Sequence, residues 1–356
     1  MSLTLASIVI NNRNYARFLG AAIDSALAQT YEALEVVVVD DGSTDDSRRV
    51  MEGYGDAIRS VYIAHAGQAA AFNAGVAAAN GEVLFFLDSD DLCARERVER
   101  IMGVISEVEA GAETAALVFH PQRFCDRSGK ETGKRFPPRL VRIDAYRRGI
   151  REESFRAGEL SVISTPTEAV RFLQDKHYLP FLTAATSGLA LTRLLAERLF
   201  PLPTTGITIC ADSFISLGAL LEGSVILYNE ELSRFRMHGK NRYMRRRKRP
   251  HADRFFNERD AYLNRLAAHH GIAEGILRLD NWERVRRYLR NKPLRELLVL
   301  LMRSEAHQYA WMLLRKAMVQ GLCCLRGFRG TRCRVINSAQ KSAHQPIEKE
   351  AEMTVR

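Results

Sequence analysis

Short uninterrupted apolar runs recur along the first part of the chain, and polar clusters follow them. Ser7-Ile8-Val9-Ile10 leads into Asn11-Asn12-Arg13-Asn14-Tyr15, and Leu34 to Val39 leads into Asp40-Asp41-Gly42-Ser43. Val61-Tyr62-Ile63 precedes His65 to Gln68, and Val83 to Leu87 precedes Asp88-Ser89-Asp90-Asp91. Such runs read as buried strands stopping at loops. Between them lie segments with helical spacing. Phe18 to Gln29 places Phe18, Leu19, Ala22, Ile23, Ala26 and Leu27 on one face. A helix over 45–53, with Ser43 or Thr44 as its cap, follows the second strand. Ala69 to Ala79 is helical until Asn80-Gly81 stops it, and Arg95 to Glu109 is a further helix. Strands that alternate with helices predict a mainly parallel α/β sheet covered on both faces. Ligands bind such sheets outside the carboxyl ends of the strands, where the polar clusters fall.

Further along, residues 115–119 predict a strand and Asp126 to Gly129 a hairpin turn. From Lys130 to Lys176 the pattern weakens, with Pro137-Pro138 breaking it, and an irregular excursion with one or two helices is expected. Leu189 to Arg198 reads as a helix stopped by Pro201 and Pro203, Asp212 to Leu221 as another, and Val225 to Tyr228 as a strand. After Leu232 to His238, the run Arg245-Arg246-Arg247-Lys248-Arg249 marks a boundary, beyond which 252–327 predicts several helices. The expected division is 1–243, a basic helical extension over 244–335, and a polar, disordered tail over 336–356.

Composition narrows the class. The chain has 356 residues, 46% of them hydrophobic and 26% charged, which suits a globular protein with a sizeable core. No apolar run reaches the roughly 18 residues of a spanning helix. The first residues lack the basic segment and cleavage site of a secretory signal. The six cysteines match neither a zinc pattern nor a CxxC pair and read as reduced thiols. A cytoplasmic protein is therefore expected. The net charge of +10 is uneven: residues 1–232 carry −8 and residues 233–356 carry +18, which implies two jobs.

The central chemical motif is Asp88-Ser89-Asp90 with Asp91 beside it. Two carboxylates at a strand end suit Mg²⁺ or Mn²⁺ carrying substrate phosphates. Clustered acids are unfavourable unless a cation neutralises them. Asp40, at the end of the second strand and beside Asp41, can accept from a base imide N–H or a ribose hydroxyl. No G-x-G-x-x-G or P-loop sequence follows the first strand, which disfavours dinucleotide and P-loop chemistry.

These segments together resemble the family 2 glycosyltransferases. The resemblance runs through Ser7 to Ile10, Asn14, Phe18-Leu19, Ala22 to Tyr31 and Glu35 to Asp45, then Gly67 to Gly75 and Gly81 to Asp91. It covers about residues 5–240. It implies a GT-A fold, a nucleotide-diphosphate sugar donor (a UDP-sugar being the favoured one), a divalent metal and inversion at the anomeric carbon. Carried over, Asn11 to Asn14 lines the nucleoside pocket, and Asn11 and Asn14 are donor contacts. Asp40 meets the base, with Asp41 and Gln68 in the same donor set. Asn73 organises the nucleotide loop, Asp88 meets the ribose or metal, and Asp90 meets the metal. The family's Pro-x-Tyr is replaced here by Asn11-Asn12-Arg13. Its acidic pair falls at Ala211-Asp212, leaving Asp212 as the catalytic base. Arg236 and His238 match a late Tyr-Arg-x-His segment that folds over the donor phosphates, and Thr186-Ser187-Gly188 lies under the acceptor.

Many acceptors of this family are lipid-linked glycans. In the carboxy-terminal part, Arg residues interleave with Leu297 to Met302 and Trp311 to Leu314. That pattern fits helices packed on the catalytic part, a peripheral contact with an anionic membrane at the inner face of the cytoplasmic membrane, or an acidic partner or polymer. The alternatives are a nucleotidyltransferase of related architecture, which predicts a glycine-rich first loop, and a nucleic-acid-binding protein using the basic part. The second leaves the acidic cluster unexplained, and no nucleic-acid partner is expected.

Overall fold

The computed structural model describes residues 3–108, 114–136, 139–140, 157–176, 179, 182–183, 185–204, 210–239, 241 and 252–272. All lie within one compact unit, Met1–Lys292. The expected helices beyond 272 and the expected tail lie outside the described residues.

The elements in chain order are β1 (Ala6–Asn12), α1 (Ala16–Leu27), β2 (Leu34–Asp41), α2 (Ser47–Glu52), β3 (Arg59–Ile63), α3 (Gln68–Ala78), β4 (Val83–Asp88) and β5 (Leu92–Cys93). Next come α4 (Arg97–Val108), β6 (Ala116–Phe119), β7 (Gln122–Cys125), β8 (Glu131–Phe136), β9 (Arg139–Leu140), β10 (Leu160–Ser164) and α5 (Pro166–Lys176). The described part closes with β11 (Leu182–Thr183), β12 (Leu189–Thr192), α6 (Arg193–Leu199), α7 (Asp212–Glu222), β13 (Ser224–Tyr228), β14 (Ser233–Arg236) and α8 (Ala252–His269).

The central sheet has eight strands in the order β10-β13-β6-β12-β4-β1-β2-β3. Its β4-β1-β2-β3 half is parallel, built from the apolar runs read in the sequence. Alternation along these strands feeds two cores. Ile8, Ile10, Val36, Val38, Phe85 and Leu87 pack against α1 and α4. Val9, Val37, Val39, Leu84 and Phe86 pack on the other face with residues of α3, α6, α7 and α8. The register sets Asn11 beside Asp88 and Asn12 beside Asp40, so the polar strand ends form one rim.

The structure corrects several expectations. β1 continues through Asn12, so Asn11 and Asn12 are strand residues rather than loop residues. Leu189–Thr192 is not helical: it is a fully buried strand between β4 and β6, antiparallel to both. A segment apolar all round fits a slot walled on both sides, and the helix starts only at Arg193, where Thr192 Oγ1 accepts the N–H of Leu195. The start of α2 is held by Asp45, whose Oδ1 accepts from Ser47 N at 3.1 Å, and not by Ser43 or Thr44. Those two are engaged by Asn14, whose N–H donates to Ser43 Oγ and whose Oδ1 accepts from Thr44 N. The irregular excursion contains β8, β10 and α5.

The expected hairpin at Asp126 joins β7 to β8 in a second, four-stranded sheet of order β5-β14-β7-β8. This sheet carries Arg236 to the acid-rich turn after β4. Beyond the expected boundary at 243, α8 packs into the same core as α7. Tyr262, Leu263, Leu266 and Ala267 are buried there, and Tyr262 Oη donates to Leu199 O at 3.1 Å. Among the described residues no helix is long and apolar enough to cross a membrane.

Candidate active site

β4 ends at Asp88, and the chain turns there because Asp91 N donates to Asp88 O at 2.9 Å. The turn is fastened from behind. Asp91 is 1% exposed, and its carboxylate accepts from Ser187 Oγ at 2.6 Å and Arg236 N at 2.9 Å. Ser187 Oγ also accepts the N–H of Asp88. Arg236 is expected over donor phosphates, but it directs Nε to Asp90 O and Nη1 to Arg127 O, with its guanidinium 5.1 Å from the Phe18 ring centre. His238 Nε2 lies 2.8 Å from Asp90 Oδ2, and its ring packs between Tyr15 and Phe18.

Asp88, Asp90 and Asp91 each bring a carboxylate oxygen within 4.8 Å of the others. Burial, then the charge of Asp90 and then that of Asp212, push Asp88 up to about 8. Asp91 is held well above the ordinary carboxylate range by burial and by the charges of Asp90 and Asp88. A hard divalent cation fits this donor set: oxygen ligands only, crowded negative charge, and a third acid whose oxygens already have partners. Asp88 and Asp90, half-buried, are the two left to present ligand atoms.

A second cluster joins the ends of β1 and β2. Asp40 accepts from Asn12 Nδ2 at 2.9 Å and from Ser43 N at 3.0 Å. Asn14 has φ 56°, a left-handed conformation that asparagine tolerates, and its amide stitches the two loops together. Arg13 Nη1 donates to Asp41 O at 2.8 Å. Asp41 points to the opposite sheet face from Asp40 and organises the loop after β3. It accepts from Ala66 N, Gly67 N and, at 2.8 Å, His65 Nδ1. Asn11 hydrogen-bonds Asp88 and lowers its pKa, against the larger effect of burial.

The third part lies across the rim. Asp212 is the first residue of α7, and Asp212 Oδ1 accepts from Ser213 N at 2.9 Å. Gln68 reaches both Asp88 and the backbone of Ala211. Thus Asn11, Gln68, Asp88, Asp90, Asp212 and His238 form one linked group, and Asp40 and Asn14 form the adjoining one. Asn73 stands apart: its amide pairs with both backbone groups of Leu202, each at 2.8 Å, and so anchors the segment after α6.

Sequence reasoning overlooked the frame. Arg97 is completely buried under the site. It bonds His120 Nε2, Cys93 Sγ and the carbonyls of Phe86 and Leu189. Burial and the Arg97 charge pull His120 down to about 3, so its ring is neutral, with Nδ1–H donating to Pro121 O. No local pattern marks this pair; a lone Arg in an amphipathic helix reads as solvated.

Residues 7–165 match the family model for glycosyl transferase family 2. The chain carries a family 2 glycosyltransferase domain. An uncharacterized glycosyltransferase of Nostoc sp. is 36% identical over 242 residues, which cover 67% of this chain and 66% of that protein. The glycosyltransferase GlyG of Streptococcus pneumoniae is 32% identical over 110 residues, 30% of this chain and 36% of GlyG. The chain therefore spans just under two thirds of the first relative's length and about a third of the second's. A crystal structure of S. aureus TarS aligns at TM-score 0.47 and 17% identity, over 65% of this chain and 37% of that one. TarS 1–349 in complex with UDP aligns at TM-score 0.46, over 65% and 60%. The glycosyltransferase domain has the GT-A type of α/β fold: a large central sheet with the acidic motif at a strand end.

Proposed function

We propose that the chain is an inverting, divalent-metal-dependent glycosyltransferase. It moves a sugar from a nucleotide-diphosphate donor, a UDP-sugar by preference, to a hydroxyl of a glycan or lipid-linked glycan. The observation that carries the reading is the acid turn. Asp91 is committed to Ser187 and Arg236, while Asp88 and Asp90 remain half-buried at the rim, with Asp212 close enough for its charge to act on Asp88.

Asp88 and Asp90 would hold Mg²⁺ or Mn²⁺, which supplies positive charge beside the leaving diphosphate. Asp40 accepts a base N–H, supported in that pose by Asn12 and Ser43. Asn11, Asn14, Asp41 and Gln68 shape the donor pocket around it. Asp212 takes the proton of the acceptor hydroxyl as its oxygen bonds to the anomeric carbon and the bond from that carbon to the diphosphate oxygen breaks. Arg236 and His238 steady the acid turn from its outer side. The basic segment 244–335 would meet an anionic membrane that carries the acceptor.

The test is the thermal midpoint with UDP, TDP, GDP or CMP, with and without Mn²⁺. Ligand at about a hundred times its Kd adds about 2.7 kcal/mol of stability, a shift of several degrees. One nucleotide and the metal should be needed together, and Asp90→Asn should abolish the shift. Asp212→Asn should keep the shift and lose sugar transfer by at least about a hundredfold. A nucleotide shift unchanged in Asp90→Asn would overturn the reading.

A further inference from the structure

Gln68 opens α3, and its side chain joins two parts of the site that are far apart in the chain. Nε2 donates to Asp88 Oδ1 at 3.3 Å and approaches Thr186 Oγ1 at 3.5 Å. Oε1 accepts the backbone N–H of Ala211 at 3.0 Å. The Ala211 contact fixes this amide orientation: a peptide N–H only donates, so Oε1 faces Ala211 and Nε2 faces Asp88. Ala211 immediately precedes Asp212. Cys210 before it has φ 63°, a left-handed conformation that is strained for a non-glycine residue. Ser213 holds Cys210 O from within this turn through its N–H and its Oγ, and Gln68 adds a hydrogen bond from outside it.

The geometry points to Gln68 as a positioning residue that ties the start of α7, and with it Asp212, to the cation-binding carboxylate Asp88. This rests on the reading of Asp88 and Asp90 as the cation site. A cation that fixes the Asp88 carboxylate in place also fixes the acceptor of Gln68 Nε2. An amide held at that end keeps Oε1 aimed at the N–H of Ala211. A cation at the acid turn also screens the repulsion between Asp88 and Asp212. Filling the site is thus felt at the first turn of α7, and the base is fixed when the donor side is ready.

The experiment is amide hydrogen exchange over 210–222, with and without Mn²⁺, alongside Mn²⁺ binding followed by electron paramagnetic resonance. In the parent chain Mn²⁺ should slow exchange in the first turn of α7 by about fivefold or more. Gln68→Met keeps the length and removes both bonds. It should still bind Mn²⁺ through Asp88 and Asp90, more weakly than the parent, yet at saturating metal show fast exchange at this turn that ignores the metal. Gln68→Glu restores an acceptor for Ala211 N–H and should return slow exchange there, a rescue that a purely bulk-packing role would not give. Metal-dependent slowing that persists in Gln68→Met would overturn the inference, as would Mn²⁺ binding in the parent without any change in α7. If the parent binds no Mn²⁺, or Asp90→Asn binds it equally well, the cation reading itself falls and this inference with it. Binding that needs Asp90 but leaves α7 unmoved removes only the coupling.

Discussion

Arg97 is a buried cation whose hydrogen bonds run to His120, Cys93 and two strand carbonyls. Removing it orphans acceptors on β4 and at the start of β12, at about 1–3 kcal/mol for each unsatisfied group. The desolvation cost of the cation is removed at the same time, so the balance is smaller than the sum. Arg97→Met should lower stability by about 2–4 kcal/mol, read as an earlier midpoint in denaturant. An unchanged midpoint would mean these acceptors find water instead. Legibility at this scale depends on sequence distance. Asp88 and Asp90 are separated by a single residue, so their shared chemistry is visible in the motif. Ser187, which fastens Asp91, stands 96 residues away. Arg236, which the family resemblance assigns to phosphate, lies 145 residues from the acid it supports. Only the fold brings these residues behind the turn.

At the scale of elements, two helix glycines show how packing decides the sign of one substitution. Alanine is the better helix former by about 1 kcal/mol at an unhindered position. Gly103 in α4 is exposed, and a methyl group there meets nothing within 4 Å. Gly103→Ala should stabilise by about 0.5–1 kcal/mol. Gly75 in α3 faces β1, where a methyl group would sit 2.3 Å from Val9 Cγ1. Overpacking costs about 1–3 kcal/mol and outweighs the propensity, so Gly75→Ala should melt earlier than the parent. Paired thermal melts check both, and a gain at Gly75 would show that α3 slides freely on the sheet. The helices and parallel strands were readable because each carries its own periodicity. β12 was not: Leu189-Ala190-Leu191 has no alternation, since both its faces are buried, and short apolar runs look alike as helix or strand.

For the molecule as a whole, the basic run at 245–249 suggests where the catalytic part ends, but charge marks the surface and says little about packing. α8 lies beyond that run and closes the core. Phe214 of α7 packs edge-on against Phe255 and tilted against Tyr262. At Gly218 an added methyl would lie 2.9 Å from Tyr262 Oη and 3.2 Å from Leu266 Cδ1, so only glycine lets α7 and α8 approach this closely. Burying a large apolar side chain contributes about 1.5–3 kcal/mol. Tyr262, Leu263 and Leu266 together therefore approach the whole net stability of a domain, about 5–15 kcal/mol. A chain ended at 243 should lose its cooperative melt and bind hydrophobic dyes, because the outer side of α7 is laid bare. A chain ended at Lys292, the limit of the compact unit, should melt cooperatively within about 4 °C of the full chain. Since α7 begins at Asp212, the shorter chain should also fail to order Asp212, the proposed base, even where the turn at Asp88 to Asp91 survives. A cooperative melt of the 1–243 chain near the parent midpoint would show that α8 covers the core without holding it together.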